Sequence, residues 1–189
     1  MGERRRVFAS TVMMVAAVIA MAATACTPIA SVDFANFTYA PDTCGDVVPV
    51  PPTYGYELSD RSVIHGDPSE RDFYSVTLRA DVAYGDLTGD GLDEAALTFD
   101  CSAGNRPLPI GRVMTTDVSG ATVLAPVPTP ELSDEAFRIE LLESQIDEGQ
   151  LVTTWIVQRP GDAPCCPTGR LTTVDHWNGE RFVTVTVTD

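Results

Sequence analysis

The chain has 189 residues, 44% of them hydrophobic and 21% charged, with a formal charge of −15 at pH 7. All of its basic residues are arginine. So acidic a chain repels nucleic acid and anionic lipid head groups, which removes nucleic-acid binding from the function classes to consider. The length suits one domain with a core of its own, and no repeat of about twenty to fifty residues is visible.

In chain order, Arg4, Arg5 and Arg6 come first, followed by an uncharged apolar run from Val12 to Ala23. That run is too short to cross a bilayer and ends in small residues, so residues 1–25 read as an export signal. Arg5-Arg6-Val7-Phe8 resembles a twin-arginine signal. Ala23-Thr24-Ala25-Cys26 resembles the lipobox of bacterial lipoproteins. The resemblance implies that Cys26 is diacylated and becomes the first residue, anchored at the outer face of the cytoplasmic membrane or in the cell envelope. Simple secretion with a free Cys26 is the alternative. Residues 1–25 hold three Arg and one Glu, so without them the charge is −17. Attachment to a membrane must then come from the acyl chains. Five cysteines are present. Setting Cys26 aside leaves Cys44, Cys101, Cys165 and Cys166, an even set fit for two disulfides in an oxidising compartment.

Residues 26–31 are expected to be the lipidated cysteine and a short tether, and 32–189 a single β-rich extracytoplasmic domain. Residues 31–39 form a candidate first strand, and the proline-rich segment 41–55 an extended loop that Cys44 could tie down. In 73–84, Tyr74, Val76, Leu78, Ala80, Val82 and Tyr84 alternate with Ser75, Thr77, Arg79 and Asp81, the period of a half-buried strand. A second strand follows at 95–101. Segment 110–124 suggests a hairpin around Val118-Ser119-Gly120, and 125–134 a proline-rich connection. Residues 136–158 fit either a helical stripe or a hairpin turning at Asp147-Glu148-Gly149. The β-branched and aromatic run beyond the turn favours the hairpin, with at most a short helical turn near 130–136. Asn178-Gly179 predicts a closing hairpin between 171–177 and 181–187. The expected fold is mainly β: an antiparallel, sandwich-like single domain with proline-rich loops, at most a short helix, and disulfide staples.

Between the two clearest strands stands Gly85-Asp-Leu-Thr-Gly-Asp-Gly-Leu-Asp-Glu94. Calcium needs six to eight oxygens, which a loop provides when alternate residues turn inward and glycine permits the bend. With Asp86 as the first position, an EF-hand would need a bidentate Glu at the twelfth, where Leu97 stands, so that reading fails. Asp-x-Thr-Gly-Asp-Gly-x-x-Glu between strands resembles the calcium loops of FG-GAP and VCBS repeats. The resemblance implies Asp86, Thr88, Asp90, the Leu92 carbonyl and Glu94 as ligands of a structural Ca2+. The competing expectation is a turn whose Asp and Thr side chains cap backbone amides while Gly89 and Gly91 take positive φ.

Adjacent cysteines pair poorly with each other, so Cys165 and Cys166 are each expected to reach Cys44 or Cys101. Two connectivities satisfy that condition, each bond contributing about 2–4 kcal/mol. A thiol metal site or a redox pair are the lesser alternatives. Asp33-Phe34-x-Asn36-x-x-Tyr39, the strand–Gly-Asp-Gly–strand unit, Cys165-Cys166-Pro167 and Trp177-x-Gly179-x-x-Phe182 together resemble a group of small exported bacterial lipoproteins. That resemblance implies location and architecture, not activity.

Catalytic signals are thin. The histidines, His65 and His176, lie in a loop and a strand, and no nucleophile elbow, zinc-protease helix or phosphate loop is present. The favoured reading is a non-enzymatic, lipid-anchored envelope domain that binds a protein or glycan partner or serves an envelope complex. It predicts an exposed apolar patch. An envelope hydrolase with carboxylate chemistry would instead require a deep acidic cleft away from the Asp/Gly loop. A small-ligand carrier would require an apolar internal cavity.

Overall fold

The computed structural model describes residues 28–48, 51–79, 81–104, 107–117, 120–131, 138–163 and 165–188. The expected export signal and Cys26 lie outside the described residues, as does most of the expected helical turn near 130–136.

The order begins with 3-10 turns at Ile29–Ser31 and Phe34–Asn36, then β1 (Thr38–Tyr39), a 3-10 turn at Gly45–Val47, β2 (Tyr56–Glu57) and β3 (Ser62–His65). β4 (Tyr74–Leu78), β5 (Ala83–Gly85), β6 (Glu94–Ser102), β7 (Leu108–Asp117) and β8 (Gly120–Pro126) follow. The chain closes with β9 (Arg138–Asp147), β10 (Gln150–Gln158), β11 (Gly169–Trp177) and β12 (Phe182–Thr188). All strand pairings are antiparallel. One sheet runs β3-β4-β6-β7-β8, with β5 also on β6. A second runs β12-β11-β10-β9, and β1 and β2 form a small pair. The fold class is therefore mainly β and sandwich-like, as the alternation and turn signals predict.

Two cores lie on opposite faces of the larger sheet, and β6 serves both. Its odd residues Ala95, Leu97, Phe99 and Cys101 enter a core with Ile29, Phe34, Tyr39, Cys44, Tyr56 and Val76 from the N-terminal arm and β4. Ala96 faces the other way, into a core of Leu87, Val113, Leu141, Leu151, Trp155, Val157 and Phe182 between the two sheets. Covered on both faces, β6 is buried almost without a break, Glu94, Thr98 and Ser102 included, whereas β10 alternates buried and half-buried residues because its outer face meets water. The packing is tight at Gly111, where a Cβ would stand 2.5 Å from Val127 Cγ2 and 2.8 Å from Leu141 Cδ1 of the other sheet.

Four expectations need correction. Residues 31–39 are not a strand. The Asp33 carboxylate accepts the Ala35 N–H and the Asn36 amide, which holds a 3-10 turn, and only Thr38–Tyr39 pair as strand. The expected tether does not extend to residue 31, because Ile29 is already buried in the first core. The 73–84 strand is broken after Leu78. The Arg79 N–H donates to the Thr98 carbonyl, and the guanidinium turns to Asp100 and to the Leu141 and Leu142 carbonyls of the other sheet. The chain resumes as β5 in the same phase: Val82 packs on the first core, Ala83 on the core between the sheets, and Tyr84, opposite Ala95, lies on the first-core face but is 40% exposed.

The fourth correction concerns the cysteines. Cys44 pairs with Cys101, both fully buried, and Cys165 pairs with its neighbour Cys166. Topology explains why no cross-pairing occurs. Cys44 lies in the arm that covers the far face of the larger sheet. Cys165 and Cys166 occupy the exposed β10–β11 loop of the other sheet, which Asp162 organises by accepting the N–H groups of Arg159 and Thr168 and the Thr168 hydroxyl.

The remaining hairpins fall where expected. β9 and β10 turn on Glu148 and Gly149, with φ of 47° and 74°, and Gln150 pairs with Asp147. Positive φ at both central residues is the tight turn that suits the strand twist. β7 and β8 join across 118–119, which lie outside the described residues. The last hairpin is wider than a two-residue Asn-Gly turn: Trp177 pairs with Phe182, and Asn178 Oδ1 accepts the N–H groups of Glu180 and Arg181.

Candidate functional site

The Asp/Gly segment joins β5 to β6 as a hairpin loop whose base is the Gly85–Glu94 pair. Leu87 anchors it, buried in the core between the sheets. The β9–β10 hairpin packs against its start. A Cβ on Gly85 would meet Ile146 Cγ2 at 2.6 Å, and one on Gly149 would lie 3.2 Å from the Asp86 carbonyl. The loop therefore sits at one end of the sandwich, where the two sheets meet.

Within it, Asp86 Oδ1 accepts the Gly89 N–H at 2.7 Å and Oδ2 accepts the Gly91 N–H at 2.9 Å. Asp90 Oδ1 accepts the Leu92 N–H at 2.8 Å. Gly89 and Gly91 have φ of 77° and 86°, a region open to glycine at little cost. Glu94 points inward. Its Oε2 accepts the N–H groups of Leu87 and Thr88 at 2.9 and 3.1 Å, and its Oε1 accepts the Thr115 hydroxyl at 3.3 Å. The side chain has no solvent exposure. Burial raises its pKa, against the lowering effect of the three hydrogen bonds and with a smaller raising contribution from Asp90.

Of the five sequence-derived ligands, Asp86, Thr88 and Asp90 lie on the loop proper. Leu92 is on its β6 side with its side chain exposed, and Glu94 is buried at its base. Among the described residues, no three His, Cys, Asp or Glu side chains gather around a common point. The donor set fits a cation in part. Among the described residues Thr88 Oγ1 is buried with no hydrogen-bond partner, an acceptor left over at the third position. The Asp86 oxygens each hold one amide and keep a lone pair free. Glu94 fits least, since its oxygens serve the loop's own amides and Thr115.

The sequence motifs resembling exported lipoproteins have visible structural work. Asn36 Oδ1 accepts the Asp60 N–H, Phe34 fills the first core, and the Tyr39 hydroxyl donates to the Phe34 carbonyl at 2.7 Å. The Trp177 and Phe182 rings meet edge to face at 5.1 Å across the last turn. His65 is exposed, stacked on Tyr74 with Asp72 3.7 Å away, and His176 is exposed on β11.

Sequence reasoning missed Asp175. It is fully buried on the inner face of β11, where Oδ1 accepts the Thr184 hydroxyl at 2.5 Å and, among the described residues, Oδ2 has no partner. Burial raises its pKa against the Thr184 and Thr173 hydrogen bonds. The only sequence signal was its alternation with Thr173 and Trp177, the inward phase of the strand.

Two shallow grooves, each of about 230 Å3, open on the described surface. One lies between the N-terminal arm and β7–β8, with exposed Tyr54 at its rim, and the other lies beside the Asp/Gly loop. No family model, curated protein or solved structure matches the chain.

Proposed function

We propose that the protein is a lipid-anchored extracytoplasmic domain of the bacterial envelope that acts as a binding or accessory module, with the Asp/Gly loop as a structural calcium site. The observation that carries the binding role is β12. Among the described strands it pairs only with β11, it has no charge from Phe182 to Thr188, and it exposes Val183, Val185 and Val187. Exposed apolar side chains on an open edge suit an added strand or an apolar protein surface. A bulge opposite Val174 and Asp175 limits how regular such pairing could be. Export is supported by the buried Cys44–Cys101 disulfide, which suits an oxidising compartment. The orphaned Thr88 hydroxyl supports the calcium reading.

The test has two arms. Mass analysis of the N-terminal peptide is expected to show an acylated Cys26, and Cys26→Ala to release the protein from the membrane fraction. A photo-crosslinker at position 185 of the anchored protein is expected to give a discrete envelope adduct in cells, absent when it is placed at position 71. An unmodified Cys26 would refute anchoring, and equal adducts at both positions would refute β12 as the binding edge.

A further inference from the structure

A lipoprotein body usually hangs from its lipid by slack chain, and the length of that slack decides whether the body has a fixed face toward the membrane. Here the slack is nearly absent. Ile29 is 2% exposed and packed in the first core, and the Ser31 N–H and hydroxyl both donate to the Pro28 carbonyl, at 2.9 and 2.8 Å. Cys26 precedes Pro28 by two residues, which span about 7 Å at full extension. Folded structure therefore begins next to the residue expected to carry the acyl chains.

Pro28, Ile29 and Ala30 line one side of the groove beside the Asp/Gly loop, and Gly91, Leu92, Asp93 and Thr116 line the other. Leu92, on the β6 side of the loop, is 45% exposed. We propose that this end of the sandwich rests on the bilayer carrying the Cys26 acyl chains, with the groove and Leu92 against the head-group layer. This orientation depends on the acylation of Cys26 proposed above. The occupant is a bilayer because the chain outside the described residues enters at the groove's edge and the backbone of Cys26, which bears the acyl chains, stands within about 7 Å of Pro28. A charge of −17 without residues 1–25 provides no attraction to anionic lipid, so the short link sets the orientation, not the surface field. Asp90 and Asp93 flank Leu92, which makes zwitterionic head groups the better surface.

The opposite end is well separated. β6 runs from Glu94 at the loop to Ser102, and Ser102 pairs with Ser75 beside the β3–β4 loop that carries exposed Arg71. Nine residues of strand put the two ends about 30 Å apart. The orientation also fixes what the outside meets: the β3–β4 and Cys165–Cys166 loops point away from the membrane, and β12 stands along the side of the body.

The full-length acylated protein, carrying a fluorophore on Leu92→Cys or on Arg71→Cys, would be placed in phosphatidylcholine vesicles that contain a head-group nitroxide lipid. Position 92 is expected to lose most of its emission and position 71 to keep it. Both substitutions are on exposed side chains, so folding is preserved. Quenching that is equal at the two positions, or stronger at 71, overturns the orientation. An N-terminal peptide of unacylated mass overturns the anchoring reading together with the orientation. An acylated peptide with an unquenched position 92 overturns the orientation alone.

Discussion

Removing the Cys44–Cys101 disulfide isolates one contribution to stability that can be worked out from the structure. The bond spans a sequence separation of 57 and lies wholly in the first core. Closing a loop of that size removes about 14 cal/mol/K from the unfolded chain, or about 4 kcal/mol at 25 °C. A Cys44→Ala/Cys101→Ala variant should lose about that much in urea unfolding, and its midpoint temperature should fall by about 8–16 °C. The neighbouring pair makes a contrast. Cys165 and Cys166 are adjacent and exposed, so their bond closes almost no chain, and the matching double variant should lose less than about 1 kcal/mol. Equal losses in the two variants would refute the pairing described above, because cross-links from Cys165 and Cys166 to the other two cysteines would make all four matter. A loss below about 1 kcal/mol in the Cys44/Cys101 variant would refute the entropic reasoning itself.

Four further outcomes can be checked. In thermal unfolding, 10 mM calcium should stabilise the parent by about 1 kcal/mol if the loop binds near the millimolar range of extracellular modules, and leave Asp90→Ala unchanged. Equal response of the two proteins would place any calcium effect elsewhere. Asp175 has a raised folded pKa, so its protonated form is the one the fold favours. Its contribution is therefore most favourable below the unfolded carboxylate range and is lost as pH rises toward the folded value. Asp175→Asn should gain stability over the parent at pH 7 and lose that advantage near pH 4, which paired urea melts would read. Gly111→Val should cost about 1–3 kcal/mol or more through overpacking against Val127 and Leu141. Arg79→Met should cost about 2 kcal/mol, since it leaves Asp100 and the Leu142 carbonyl without their shared donor, and hydrogen exchange should rise at the contact between the sheets.

The Asp/Gly loop shows how far local pattern carries. Its place between two antiparallel strands, its positive-φ glycines and its amide-capping aspartates follow from residue chemistry that acts within a few positions. The inward turn of Glu94 does not, because it depends on Thr115 from β7 and on Leu87 being drawn into the core between the sheets. Arg79 shows the same limit. Read along the strand it belongs to the polar, solvent-facing phase, yet its guanidinium bridges the two sheets, and the regular pairing stops there although the same face alternation carries on into β5.

From residue order alone came the export signal as an expectation, the mainly antiparallel β class, and the turns at Glu148-Gly149 and Asn178-Gly179, because each depends on backbone preference or on period-two burial within a short window. Tertiary structure decided the rest. Which cysteines meet, which carboxylates lose their water, and how little chain separates Cys26 from the core all depend on residues brought together from distant parts of the chain. Burial and pairing of that kind are properties of the packed layers, and no spacing along the sequence encodes them.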